Sequence, residues 1–127
     1  MAHRFRKHYT IEEARALLPQ VREWLTSIAQ IRRRLRQLEE RIEQMLGAGN
    51  DVGGESVHSM VRLLADLSLL LREFRSREIQ LKDVDRGLID FPAIVGGREV
   101  FLCWEQDEED IEFWHDLDSG YAGRERL

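Results

Sequence analysis

Cysteine is nearly missing from this chain: Cys103 is the only one. A single thiol excludes an intramolecular disulfide and a zinc cage built from the cysteines of one chain. Proline is almost as scarce, with two residues among 127, and the nine glycines are too few for a disordered chain. Long apolar runs are missing as well. The most apolar stretch, 63–71, is interrupted by Asp66 and is too short to span a bilayer. Basic residues open the chain (Arg4, Arg6, Lys7), but Glu12 and Glu13 arrive where a signal peptide would need its apolar segment. A cytoplasmic protein with no membrane partner is expected.

What is present is charge, and it is unevenly spread. The chain is 43% hydrophobic and 34% charged, which fits one soluble domain with a modest core and wide polar helix faces. The net charge of −5 conceals an asymmetry: residues 1–46 carry ten Lys and Arg against six Asp and Glu, and residues 47–127 carry nine against eighteen. Residues 99–118 contain nine acids and neither Lys nor Arg. A basic arm and an acidic lobe in one molecule permit self-attraction or separate partners.

Hydrophobic periodicity gives the fold class. Ala14, Leu17, Val21, Trp24, Ile28, Ile31, Leu35, Leu38, Ile42 and Met45 recur at alternating gaps of three and four. That 3.5-residue period lays one coiled-coil-like seam along a long helix. Thr10 and Glu13 form a capping-box pattern that opens it. Pro19 predicts a bend, giving a short helix from Ile11 and then a second piece to about Leu46, roughly 40 Å long. Residues 47–54 read as a flexible connector, and their glycine spacing does not fit a phosphate-binding loop. A second seam follows through Val57, Met60, Leu64, Leu67, Leu71, Phe74 and Leu81, widened by Val61, Leu63, Leu70 and Ile79. A stripe this wide predicts burial on more than one side, as in a four-helix bundle made from two hairpins.

The period then changes. An apolar stretch 88–95 holds Phe91 and Pro92, Gly96-Gly97 is a two-residue hairpin signal, and 98–105 and 111–115 read as further strands. Pro92 predicts that the first strand lies at an edge or carries a bulge. The expected fold is α+β: a long antiparallel helical hairpin over 9–81, a small three-stranded antiparallel β-meander over 88–115, and a polar tail over 116–127, all in one domain.

Reactive residue types concentrate in 112–124. His115, Asp116 and Asp118 are candidate ligands for a divalent metal ion at a strand end, since imidazole plus carboxylates suit zinc or manganese. Strand alternation would send His115 and Asp116 to opposite faces unless the chain turns there. Asp116-Leu-Asp118-Ser also resembles the aspartates of phosphotransferases, and with Gly120 a calcium loop, but the surrounding pattern supports neither. Cys103 reads as a buried structural thiol. Asp83, Asp85, Arg86 and Asp90 read as a hydrogen-bonded turn, the sharper alternative being an acidic cleft shared with His115 and Asp118. The cluster Arg32, Arg33, Arg34 and Arg36 spreads over more than half the helix circumference and reads as a solvated face paired with Glu39, Glu40 or Glu43. Nucleic acid is therefore not an expected partner.

Five segments together, Tyr9-Thr-Ile-Glu-Glu-Ala14, Leu17-Leu-Pro19, 81–93, 97–104 and 112–124, resemble the bacterial family catalogued as domain of unknown function 2203. The resemblance spans nearly the whole chain. It implies a small prokaryotic protein without an assigned activity and supplies no catalytic residue. The residues themselves favour a self-associating interaction or structural protein, a homodimer joined through its helices. A metal-binding protein or metal-dependent enzyme is the alternative.

Overall fold

The computed structural model describes residues 2–49 and 53–127, so the middle of the expected connector, residues 50–52, lies outside the described residues. Helix α1 runs Ile11–Gly47 and α2 runs Gly54–Ser76. Strands β1 (Gln80–Asp83), β2 (Leu88–Val95), β3 (Arg98–Trp104), β4 (Phe113–Asp116) and β5 (Glu125–Arg126) form one antiparallel sheet in sequence order.

The capping box is formed: Thr10 Oγ1 accepts the Glu13 N–H at 3.1 Å, and the Thr10 N–H donates to Glu13 Oε1 at 3.0 Å. The bend expected at Pro19 does not divide α1, which is a single 37-residue helix with Pro19 inside it. A mid-helix proline costs ~3 kcal/mol. Burial of Leu18 and Val21 on either side returns a comparable amount, at roughly 1.5–3 kcal/mol per side chain, and Pro19 itself is exposed.

Helix α2 stops at Ser76 instead of continuing to Leu81. The Glu78 N–H bonds the Arg75 carbonyl and the Ile79 N–H bonds the Phe74 carbonyl, closing the helix with Glu78 in the left-handed region at φ 59°. The chain then enters β1.

The three strands expected are therefore five. The two that pattern reading overlooked, β1 and β5, are short polar edge strands that pair with β2 and β4. The Gly96-Gly97 hairpin is as expected, with both glycines at positive φ (59° and 76°), the twist a two-residue turn between antiparallel strands requires. The irregularity lies in β1, between Leu81 and Asp83, and β2 is an inner strand. At Pro92, however, β1 has already ended, and the Pro92 carbonyl accepts the Tyr9 N–H at 2.7 Å. The missing proline N–H faces that side, where no ladder bond is forfeited.

One sheet face carries Ile89, Phe91, Ala93, Val100, Leu102 and Trp104 against Ala14, Leu18, Val21, Trp24, Leu25 and Ile28 of α1. The first half of the seam thus packs on the sheet, and the meander is no appendage of a self-sufficient hairpin. Beyond Ile28 the two helices continue as a thin arm, in which Leu38 is the one buried residue before Phe74 among those described. The other face of the sheet is covered too. Phe5 packs on Phe101 with ring centroids 5.4 Å apart, and the segment after β4 closes over the rest. Two-sided cover explains why β2 is buried from Leu88 through Ala93 without alternation.

Part of the charge asymmetry is met within the chain. Arg22 donates to the carbonyls of Gln106 and Glu108, Arg15 pairs with Asp110 at 3.1 Å, and Arg32 pairs with Asp85 at 2.7 Å rather than with a glutamate of its own helix. No helix among the described residues is long and apolar enough to cross a membrane.

Candidate functional site

Three neighbouring strands each place one chemically capable side chain on the sheet face turned away from α1. Asp90 of β2 lies directly opposite Cys103 of β3. His115 of β4 lies opposite Phe101, one diagonal step from Cys103. All three are buried, with 2% or less of their surface exposed. One donor atom from each lies within 4.8 Å of the others.

The imidazole is held at both nitrogens. Nδ1 lies 2.7 Å from the Asp116 carbonyl, which can only accept, so Nδ1 carries the proton and donates. Nε2 lies 3.0 Å from each oxygen of the Asp90 carboxylate. Burial pushes the Asp90 carboxyl above its ordinary range, against the opposing pull of His115. Burial, reinforced by the Asp90 charge, pushes the Cys103 thiol up to about 12. Arg124 approaches the sulfur at 3.8 Å while a bidentate pair with Glu108, at 2.8 and 3.0 Å, fixes its guanidinium. A cavity of about 130 Å³ adjoins the three residues, walled by Lys82, Leu88, Leu117, Gly120 and Tyr121.

Of the candidates read from sequence, His115 is in this cluster and the two neighbouring aspartates are not. Strand β4 persists through Asp116, so alternation turns that side chain to the sheet face opposite His115, where it is exposed and pairs with Arg98. Asp118 pairs with Arg4 at 3.0 Å on the surface. Asp83 forms the plain turn, accepting the N–H groups of Asp85 and Arg86, and Arg86 pairs with Glu105. Asp90 alone of that group faces His115. A second cluster, His3, His8 and Glu99, stands nearer the surface.

The sequence places Asp90 beside His115 only in the alternative reading of an acidic cleft and leaves Cys103 out as a partner, although a signal for both exists. With a two-residue turn at Gly96-Gly97, pairing begins at Val95 and Arg98, and five steps outward reach Asp90 and Cys103. Arg124 left no such signal, because its position depends on how the segment after β4 folds back.

A family model described as "Uncharacterized conserved protein (DUF2203)" matches residues 7–127. No curated protein and no solved structure gives a match.

Proposed function

The chain belongs to this uncharacterized conserved family, and from that premise we propose that it is a cytoplasmic structural protein that pairs with a second copy of itself through its helical arm. The reading is carried by one observation: α2 is apolar on a side that α1 does not cover. Val57, Val61 and Leu64 are each about half exposed or more, at 51%, 60% and 49%. Met60, Leu63, Leu67, Leu70 and Leu71 are only half-buried. Between Ser56 and Leu71 the formally charged residues are Arg62 and Asp66, one turn apart on a single narrow strip. Scattered exposed leucines are ordinary, but a continuous apolar helix face is the mark of an interface.

A second copy is the occupant that suits this face. Antiparallel pairing of two α2 helices about Leu64 sets Val57 opposite Leu71 and Val61 opposite Leu67, apolar against apolar. Such a two-fold contact is self-complementary, the commonest form of homodimer. The four helices would pack as a short coiled-coil bundle, with the two sheets at its ends. Sedimentation equilibrium tests this. The expected mass is twice the 15.0 kDa of the chain, reduced to that of one chain by Val61→Glu with Leu64→Glu at unchanged helical content. A wild-type chain that stays monomeric at high micromolar concentration overturns the reading.

A further inference from the structure

The geometry points to a zinc site on the outer sheet face, with Asp90, Cys103 and His115 as its three protein ligands and the adjoining cavity holding the fourth position. It is independent of the dimer, since none of these residues lies on the arm.

The His115 imidazole carries the first constraint. Its Nδ1–H is committed to the Asp116 carbonyl at 2.7 Å. The ring therefore turns Nε2 to two carboxylate oxygens, each 3.0 Å away. Lone pairs do not face one another across that distance without a positive charge between them, either a proton or a metal ion. Cys103 favours the metal. A proton shared by Asp90 and His115 needs no sulfur, whereas Asp, Cys and His together are donors that zinc takes readily. Tetrahedral zinc bonds of 2.0–2.3 Å put donor atoms roughly 3.3–3.6 Å apart. The three donors, mutually within 4.8 Å, reach that spacing when their separations change by a few tenths of an ångström to at most about 1.5 Å.

The surroundings match what such sites require. A ligating histidine characteristically donates its other N–H to a carbonyl or carboxylate, which fixes the ring. Here Asp116 fills that place with its backbone, one residue from the histidine it orients. Binding converts the Cys103 thiol to a thiolate and releases its proton to solvent, and the Arg124 guanidinium at 3.8 Å favours the anion. Three protein ligands and one open position are the arrangement of zinc sites that bind water or a small anionic group. The cavity of about 130 Å³ lies on the side where that ligand would sit, with Lys82 on its wall.

Cobalt(II) titration of the untagged, chelator-stripped full chain tests the site, because cobalt reports sulfur ligation by a thiolate charge-transfer band. The expected result is one cobalt per chain, a tetrahedral visible spectrum with that band, and displacement by zinc. Cys103→Ser should abolish the band. Asp90→Asn should keep the fold, since its amide can donate to Nε2, yet weaken binding by more than the roughly 10- to 100-fold that loss of a supporting residue costs. A spectrum without the thiolate band, or one unchanged by Cys103→Ser and abolished by His8→Ala, would place the metal at the His3–His8–Glu99 cluster and overturn the assignment. An absence of binding would leave a proton-bridged Asp90–His115 pair and overturn it equally.

Discussion

Nε2 of His8 lies 2.7 Å from the Glu99 carboxylate, and the same carboxylate accepts the backbone N–H groups of Arg4 and Phe5 at 2.8 and 3.0 Å. One side chain at the sheet margin thereby fastens the extended segment before α1 across the outer face, with Phe5 seated on Phe101. Burial alone would raise the Glu99 carboxyl, but the bonds from His8, Phe5 and Arg4 prevail and hold it at about 2 against an ordinary 4.5. A carboxyl depressed on folding contributes stability that is complete above its ordinary pKa and disappears as pH falls through the folded value. The urea midpoint of the wild type is therefore expected to fall between about pH 4.5 and about 2. Glu99→Gln should lack this component. Because Glu13 and Glu105 are lowered as well, the difference between the two proteins is the quantity to follow. Parallel curves for wild type and variant would show that Glu99 fastens nothing.

Glu78 joins the same task to a backbone cost. It is the non-glycine residue with positive φ among those described, and its carboxylate accepts the N–H groups of Arg6 and Lys7 at 3.1 and 3.2 Å. Glycine would relieve roughly 1 kcal/mol of left-handed strain at this position but would release those two amides. Glu78→Ala is expected to lower stability by about 1–2 kcal/mol, the loss of charge-assisted bonds with the strain retained. Glu78→Gly should come out about 1 kcal/mol better than Glu78→Ala. In both variants, hydrogen exchange at Arg6 and Lys7 should quicken. Equal stability of the two variants would remove strain from the account, and unchanged exchange would remove the anchor.

How much of this was legible in the sequence depends on how local each cause is. The capping box of Thr10 and Glu13, the turn at Gly96-Gly97 and the helical period are set by residues close in sequence, and all are present. Strands β1 and β5 have no pattern of their own. Gln80-Leu-Lys-Asp83 and Glu125-Arg126 become strands because β2 and β4 offer them open edges, a condition visible only in three dimensions. The seam of α1 showed that a face is covered but not by what: Ala14 through Ile28 lie on the sheet. Asp116 and Asp118 drew attention because they adjoin His115 in sequence. Asp90 adjoins it in space, through strand pairing across β3.

Phe74 is the only fully buried residue of α2. Its ring meets Trp24 of α1 at 5.4 Å and 66°, while Arg77 lies 4.8 Å over the same indole. This contact fixes the base of the arm to the sheet-bearing part of the molecule, and the rest of α2 hangs from it. Phe74→Ala is expected to cost ~3–5 kcal/mol in urea unfolding, as for large aromatic truncations in well-packed cores. Leu64→Ala, measured at a concentration too low for pairing, should stay within about 0.5 kcal/mol of wild type, as for a surface change. Raised to a concentration where copies pair, Leu64→Ala should lose stability relative to wild type, because association stabilises the folded chain by mass action. A dilute Leu64→Ala protein as unstable as Phe74→Ala would mean that the outer face of α2 is already buried within one chain, and the arm would have no free surface to offer a second copy.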